Sequence, residues 1–390
     1  MGNVQRVALL NSARRWIGEA AHVFALAEGL CAQGVEVTLI VRRGHELEQR
    51  ARRTDLRVEA LEFSSRLRPS DWTDVRRLRE ILRRDAIEVV HCHRGKDHWT
   101  AAVALRGFRP RPALIRTRHV VTPMRTQLTN RWLMRRATDG VIAVSEAARA
   151  SVARLFPDDL NRVKVIYSAV DLELFRASRR SERHRREVLG AGADECVVGL
   201  IGRVQRIKGQ RVLLEAAASL KSRGTVPRIV MAGTERTPRR IDRLRAEANA
   251  LGVESNTIFF GEVDDIATLI ASLDVCVIAS LGSEGSSRVA LEAMASGVPV
   301  IASRVGVLPE IIKPGENGLL FAPGDSEELA HAMASLLGDS AKRAQLGEAG
   351  RRTVERDHRP DDWIAKTRAV YDAAAAQGGS LTHHTHRRGK

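Results

Sequence analysis

Apolar and polar positions along this chain fall into blocks of two lengths. Short runs rich in β-branched and apolar residues recur at 7–10, 35–41, 87–93, 113–117, 140–144 and 163–167. Each is bounded by polar or Gly/Pro positions, which predicts buried strands. Longer stretches with helical spacing lie between and beyond them, at 19–33 closed by Gly34, at 210–221, at 287–296 closed by Gly297, and at 362–375 after Pro360, with Asp361 as a cap. After an Arg/Ser/Glu-rich stretch at 178–186 the strand pattern restarts at 197–201, 228–233, 257–260, 275–279 and 298–302. Strands alternating with helices predict parallel sheets covered on both faces, with ligands at the strand C-terminal ends. The restart predicts two Rossmann-like α/β domains, doubly wound. The boundaries read as a first domain at 1–172, a linker at 173–192, a second domain at 193–358, a C-terminal helix at 359–376 and a disordered tail at 377–390.

The stretch from 275 to 302 carries the most chemistry. A predicted strand runs into a polar loop with Gly282 and Gly285, then a helix, then another strand. Strand, small-residue loop and helix N-terminus make an anion site, because free backbone N–H groups and the positive helix end converge there. Glu284 in the loop and Glu292 one turn into the helix flank that spot, with seven residues between them. Carboxylates repel phosphate but accept hydrogen bonds from vicinal hydroxyls. One carboxylate suits a ribose and the other a sugar, with a diphosphate between them, so the arrangement fits a nucleotide-sugar. A plain βαβ unit with solvated glutamates is the competing reading of the pattern alone.

Glu284 to Glu292, continued as Glu-Ala-Met-Ala-Ser-Gly-Val-Pro-Val-Ile to Ile301, resembles the donor-binding signature of the retaining, GT-B-fold glycosyltransferases of family 4. Gly202-Arg203 followed by Lys208-Gly209 is similar to the family's Gly-Arg-x4-Lys-Gly element, and Phe260-Gly261-Glu262-Val263 to its base-pairing strand end. The resemblance reaches Ala375 and is strongest from Val198 to Phe321. It implies two Rossmann-like domains facing across a cleft and a nucleotide-sugar donor. The implied donor-binding residues are Gly18, Gly202, Arg203, Lys208, Val263, Glu284, Gly285, Ser286, Ser287, Val289 and Glu292. The implied catalytic residues are His119, Arg203, Lys208 and Glu284. Arg203 and Lys208 would stabilise charge building on the departing diphosphate. The reaction would be a same-face displacement in which the leaving phosphate helps deprotonate the acceptor, with no cofactor and no divalent metal. His119, after a strand end, can also be read simply as a half-buried polar residue. Arg14, Trp16 and His93 are acceptor-side candidates. His91 and His93 share one strand face, but no third ligand is evident beside them. Ser145 reads as a helix cap.

The chain departs from the family in three places. Ile17 precedes Gly18 where a second glycine is usual, Ser286-Ser287 replace Phe-Gly, and Tyr167-Ser168-Ala169 replace Pro-Asn-Gly. The first two leave the nucleotide base and the sugar open. The third weakens a hinge role for Ala169.

Composition bounds the rest. A chain of 390 residues exceeds a single typical core. No apolar run approaches the ~20 residues of a transmembrane helix, and no signal peptide is visible. Cys31, Cys92, Cys196 and Cys276 lack metal-type spacing and read as reduced core thiols of a cytoplasmic protein. Residues 1–172 hold 31 Lys+Arg against 19 Asp+Glu, so +12 of the net +16 lies there. Only 4% aromatic residues and no helix-turn-helix, zinc or RNA motif count against nucleic acid as a partner. Arg76, Arg77, Arg79, Arg83 and Arg84, beside Trp72 and Leu78, predict a helix face for an anionic membrane surface, and Arg106, Arg109, Arg111, Arg116, Arg118 and Arg125 add to the charge. A composition that merely spreads arginine over solvated faces is the alternative. The reading is thus a retaining glycosyltransferase acting on a lipid-linked or lipopolysaccharide-type glycan, peripheral at the inner face of a membrane. A GT-B-fold epimerase or phosphorylase, or a non-enzymatic basic binding module, are the rivals.

Overall fold

A computed structural model describes residues 3–64, 69–157, 159–177, 180–192, 195–225, 227–235 and 239–380. They form two compact units, Met1–Ser168 with Pro360–Lys390, and Ala169–Arg359.

The first unit is built on seven strands, β1 (Arg6–Asn11), β2 (Glu36–Arg42), β3 (Arg57–Leu61), β4 (Val89–Cys92), β5 (Ala113–Arg118), β6 (Gly140–Ala143) and β7 (Val163–Val165). All pairs are parallel, in the order β3-β2-β1-β4-β5-β6-β7. Leu9, Leu10, Leu39, Ile40, Val89, Val90, Leu114 and Ile115 are fully buried, so neighbouring residues pointing to opposite faces are both covered. That is why these strands read as continuous apolar runs. The chain leaves β1 toward β2 and β3, then returns to lay β4 on the other side. The loops after β1 and β4 therefore diverge at one point on the C-terminal edge, where ligand crevices form in such sheets.

The second unit repeats the device with β8 (Val197–Ile201), β9 (Arg228–Ala232), β10 (Thr257–Phe260), β11 (Val275–Ile278), β12 (Val300–Ser303) and β13 (Leu319–Phe321), ordered β10-β9-β8-β11-β12-β13. Its switch point lies between β8 and β11, which sets the loop after Ile201 beside the loop after Ile278. The helix Gln210–Ser222 packs Val212, Leu213, Leu220 and their neighbours into the same core as Leu329, Met333 and Leu336 of the helix Ser326–Leu337.

Two strands were not legible in the sequence. β3 alternates apolar and charged residues and, among the described residues, pairs only with β2, and β13 spans three residues. Sheet edges need neither long nor uniformly apolar strands. Residues 169–192, read as a domain end and a linker, belong to the second unit. There Arg180 and Arg185 bond Asp274 at 3.0 and 2.9 Å, and Ser181 caps the short helix Glu182–Glu187.

The helix Pro360–Ser380 belongs to the first unit. Asp372 accepts from Val4 N at 2.8 Å, and a Cβ on Gly29 would lie 2.7 Å from Ile364 Cδ1. Because the helix begins at Pro360, Asp361 sits inside its first turn instead of capping it. The helix continues through the first four residues of the expected tail, and 381–390 lie outside the described residues. No helix among the described residues is long and apolar enough to cross a membrane. Cys92 and Cys276 are buried, whereas Cys31 is exposed and so is not a core thiol.

Candidate functional site

In the second unit the switch point assembles two loops. The turn at Lys208-Gly209 meets the segment after β11, with Leu281 N donating to Ile207 O at 2.8 Å. Gly209 has φ +70°, and a Cβ there would fall 1.9 Å from Ala279 O. Gly306, at φ +56°, approaches from the other side, where a Cβ would fall 1.9 Å from Glu284 O, and Val307 N donates to that carbonyl at 2.9 Å. Only glycine combines this left-handed backbone with so close an approach. The loop carrying Glu284 is therefore clamped by backbone. Its carboxylate is buried and accepts from both Lys208 Nζ and Ser280 Oγ on the same oxygen, Oε1.

Glu292 stands on the helix Arg288–Ala295, 7% exposed, with Arg288 Nη2 at 3.0 Å. Burial pushes its carboxyl above the usual carboxylate range, and Arg288 pulls it back. Ser287, at the helix start, is held at φ 42°, a conformation uncommon for residues with a side chain. Gly285, Ser286 and Val289 are half-buried around it. The first N–H groups of a helix have no intrahelical acceptor, so donors and two carboxylates, each already matched to one cation, share the strand edge.

Along the same edge Gly202 closes β8. A Cβ on Gly233 would lie 2.1 Å from Gly202 O, and Gly233 N donates to Gly261 O at 3.0 Å. Three glycines thus thin the edge of β8, β9 and β10 to bare backbone. Arg203 and Val263 are half-buried there, and Gln210 Nε2 donates to Arg203 O at 2.9 Å. The expected donor-side residues other than Gly18 all fall within this unit. Arg288 and Ser280 were missed. The i,i+4 spacing of Arg288 and Glu292 is a signal the sequence carried, whereas the Ser280–Glu284 bond depends on the loop's path.

In the first unit His119, just past β5, meets His93, just past β4, at 3.0 Å from Nε2 to Nδ1. The His22 ring, from the helix Gly18–Ala32, lies 4.7 Å from that of His119. His91 is spent on structure, bonded to Tyr371 OH at 2.7 Å and Thr117 Oγ1 at 2.6 Å. Burial drives the pKa of His91, His93 and His119 well below 6.5, with the charge of Arg116 adding to the effect, so all three are neutral at pH 7. One ring nitrogen from each of His22, His93 and His119 lies within 4.8 Å of the others, a spacing that could hold a cation. This corrects the reading that His93 has no third ligand near it. His22 lies on a helix, and only the tertiary fold delivers it.

The remaining first-unit candidates lie before and at the start of the helix that carries His22. Gly18 is exposed at the first position of its helix, and Arg14 is exposed in the loop before it. Trp16 is packed between Phe24, 5.7 Å away, and the Arg50 guanidinium at 4.5 Å. Ser145 does cap its helix, accepting from Ala148 N at 3.1 Å. The arginine face needs correction. Leu78 is buried while Trp72 is 68% exposed, so the two do not share a face. Arg79 bonds the carbonyls of Ala104 and Arg106, Arg84 bonds Glu59 and Asp85, and Arg116 and Arg118 are buried.

Residues 181–353 match the family described as Glycosyl transferases group 1, and residues 17–174 match Glycosyltransferase Family 4. A D-inositol 3-phosphate glycosyltransferase of Corynebacterium glutamicum is 36% identical over 197 residues, 49% of this chain and 47% of that protein. The chain spans about half the length of the first such relatives it matches. In fold, a glycosyltransferase from Rickettsia africae superposes with a TM-score of 0.87 over 96% of this chain and 99% of that one, at 20% identity. Anabaena Alr3699/HepE, solved with UDP and glucose, gives 0.80 over 94% and 99%, at 23% identity. Matched in sequence through both halves and in fold over nearly its whole length, the chain belongs to the group 1, family 4 glycosyltransferases of GT-B architecture.

Proposed function

We propose that this protein is a retaining transferase that moves a sugar from a nucleoside diphosphate to an acceptor hydroxyl. The observation that carries the reading is the pair of buried carboxylates, Glu284 and Glu292, on either side of a helix N-terminus, each matched to a cation. Glu292 accepts ribose hydroxyls and Glu284 accepts sugar hydroxyls. The diphosphate lies on the N–H groups between them, at the edge thinned by Gly202. As the glycosidic bond breaks, negative charge grows on the leaving diphosphate, and Arg203 and Lys208 bind that state better than the ground state. Lys208 turns from Glu284 to phosphate as the sugar takes over the carboxylate. The leaving phosphate receives the acceptor's proton, which keeps attack and departure on one face of the sugar and retains the anomeric configuration. Fixed cations and backbone donors do the work of a divalent ion, so the proposal includes no metal.

On the first unit, neutral His119 offers a hydrogen bond to a bound hydroxyl. The acceptor is an anionic, lipid-linked or lipopolysaccharide-type glycan at the cytoplasmic face of a membrane. The +12 charge of residues 1–172 supports an anionic partner, as does the similarity to D-inositol 3-phosphate glycosyltransferases, named for a phosphorylated substrate. The Anabaena neighbour bound to UDP and glucose makes UDP-glucose the first donor to try.

A thermal-shift panel of UDP-, GDP- and ADP-sugars tests the reading, since a ligand that binds only the folded state raises its stability. One base family is expected to stabilise the protein, with turnover only when an acceptor is added. No shift with any nucleotide would sink the proposal, and conversion of the donor without acceptor would make the protein an epimerase.

A further inference from the structure

The connection from β5 to β6 carries the helix Leu128–Trp132 and a wider helical turn, Leu133–Ala137. Leu133, Met134 and Ala137 are buried and anchor it. The opposite face is built differently. Leu128 is 81% exposed and Trp132 39%, one helical turn apart. Arg131, Arg135 and Arg136 are exposed around them. With Trp132 and Arg162 they line a depression of about 500 Å³ whose described lining includes no acidic residue. The Trp132 ring stacks on Trp99, with centroids 5.8 Å apart, and so is fixed in place.

Four guanidinium groups gathered around one depression repel one another, and an anion that enters lowers that repulsion. A dissolved phosphate would relieve that repulsion but leave Leu128 and Trp132 in water. A bilayer surface answers both. Its phosphates meet the arginines, and its interfacial layer takes a leucine and a tryptophan, a residue favoured at that depth.

We infer that this depression binds the phosphate headgroup of an anionic phospholipid, with Leu128 and Trp132 entering the interfacial layer. The inference rests on the membrane part of the proposed function. It moves the contact away from the helix Pro69–Arg84, where Arg77, Arg79 and Arg84 are drawn into bonds within the protein.

Co-sedimentation of the full chain with phosphatidylglycerol/phosphatidylcholine vesicles and with phosphatidylcholine alone, at low and at ~0.15 M salt, tests it. The wild type is expected on the anionic vesicles, more weakly at the higher salt. Arg131→Gln with Arg135→Gln should lower the partition coefficient by roughly tenfold or more, as expected for two charges lost near the surface. Leu128→Ser and Trp132→Ala should lower it with the salt dependence retained, and Arg76→Gln on the other helix should leave it within about twofold. All the substituted positions are exposed, and unchanged melting temperatures confirm folding. Binding that survives the Leu128, Arg131 and Arg135 changes overturns the inference while the membrane reading stands. Equal binding to neutral vesicles overturns it too, and no binding at low salt removes both.

Discussion

Lys208 and Glu284, 76 residues apart in sequence, are joined by a hydrogen bond from Nζ to Oε1 at the edge where β8 and β11 meet. The bond neutralises a buried carboxylate and parks a cation where the proposed diphosphate arrives. It makes Lys208 more than a surface charge, since removing it strands Glu284 with Ser280 as its other hydrogen-bond donor.

Lys208→Ala is therefore expected to lower kcat/KM by roughly tenfold or more, because ~1.4 kcal/mol of transition-state binding is already a factor of ten. Steady-state kinetics with the donor named by the nucleotide panel reads this directly. Activity within about twofold of wild type would return Lys208 to a purely structural pairing.

Glu292→Gln should weaken donor binding more than it slows turnover of bound donor. A charge-assisted hydrogen bond contributes about 1.5–3 kcal/mol, which is tenfold or more in Kd. Calorimetric titration with the nucleoside diphosphate alone is the cleaner measurement, because it omits the sugar. An unchanged Kd in a folded variant takes Glu292 out of the site.

Gly306→Ala should damage the site through the backbone. The new Cβ would meet Glu284 O at 1.9 Å, at a φ of +56°. The left-handed backbone alone costs about 1–2 kcal/mol, and the clash adds to it by displacing the Glu284 loop. Gly315, at φ +79° with nothing near its Cβ position, isolates the backbone cost. Gly306→Ala is expected to lose both melting temperature and donor affinity, and Gly315→Ala only melting temperature. Equal donor affinity in the two variants would show that the clamp on Glu284 is not needed.

Acid should destabilise the first unit. His91, His93, His98 and His119 are held well below the ordinary 6.5, chiefly by burial. The unfolded chain takes up protons near 6.5 and the folded chain does not. Stability is thus fully present above that pH and is lost progressively as pH falls below it, toward the folded-state values. Melting temperatures measured from pH 7.5 down to 5.5 should fall. A flat profile over that range would mean that these histidines protonate in place.

Chelation should leave turnover largely intact, since Arg203, Lys208 and the helix N-terminus carry the proposed charge stabilisation. Loss of activity in EDTA with rescue by Mg²⁺ or Mn²⁺ would overturn that assignment. It would also turn attention to His22, His93 and His119, whose ring nitrogens lie within 4.8 Å of one another.

What the sequence by itself determined was whatever depends on neighbours along the chain. The runs at Leu9-Leu10, Val89-Val90 and Val275–Ile278 announced buried parallel strands, because a strand covered on both faces must be apolar at every position. Glu284, Glu292 and the helix start between them could be read as an anion site, because a loop and a helix start are local events. Tertiary structure decided what comes from distant segments. It paired Lys208 with Glu284, set Gly306 against the Glu284 carbonyl, brought His22 to His119, and buried Arg116 while leaving Leu128 in the open. It also drew residues 169–192 into the second unit through Asp274. Strand order is the physical reason. In each sheet the chain leaves a central strand on one side and returns on the other, so the loops that meet at the switch point are far apart in sequence. No local pattern records which distant side chains will face each other there.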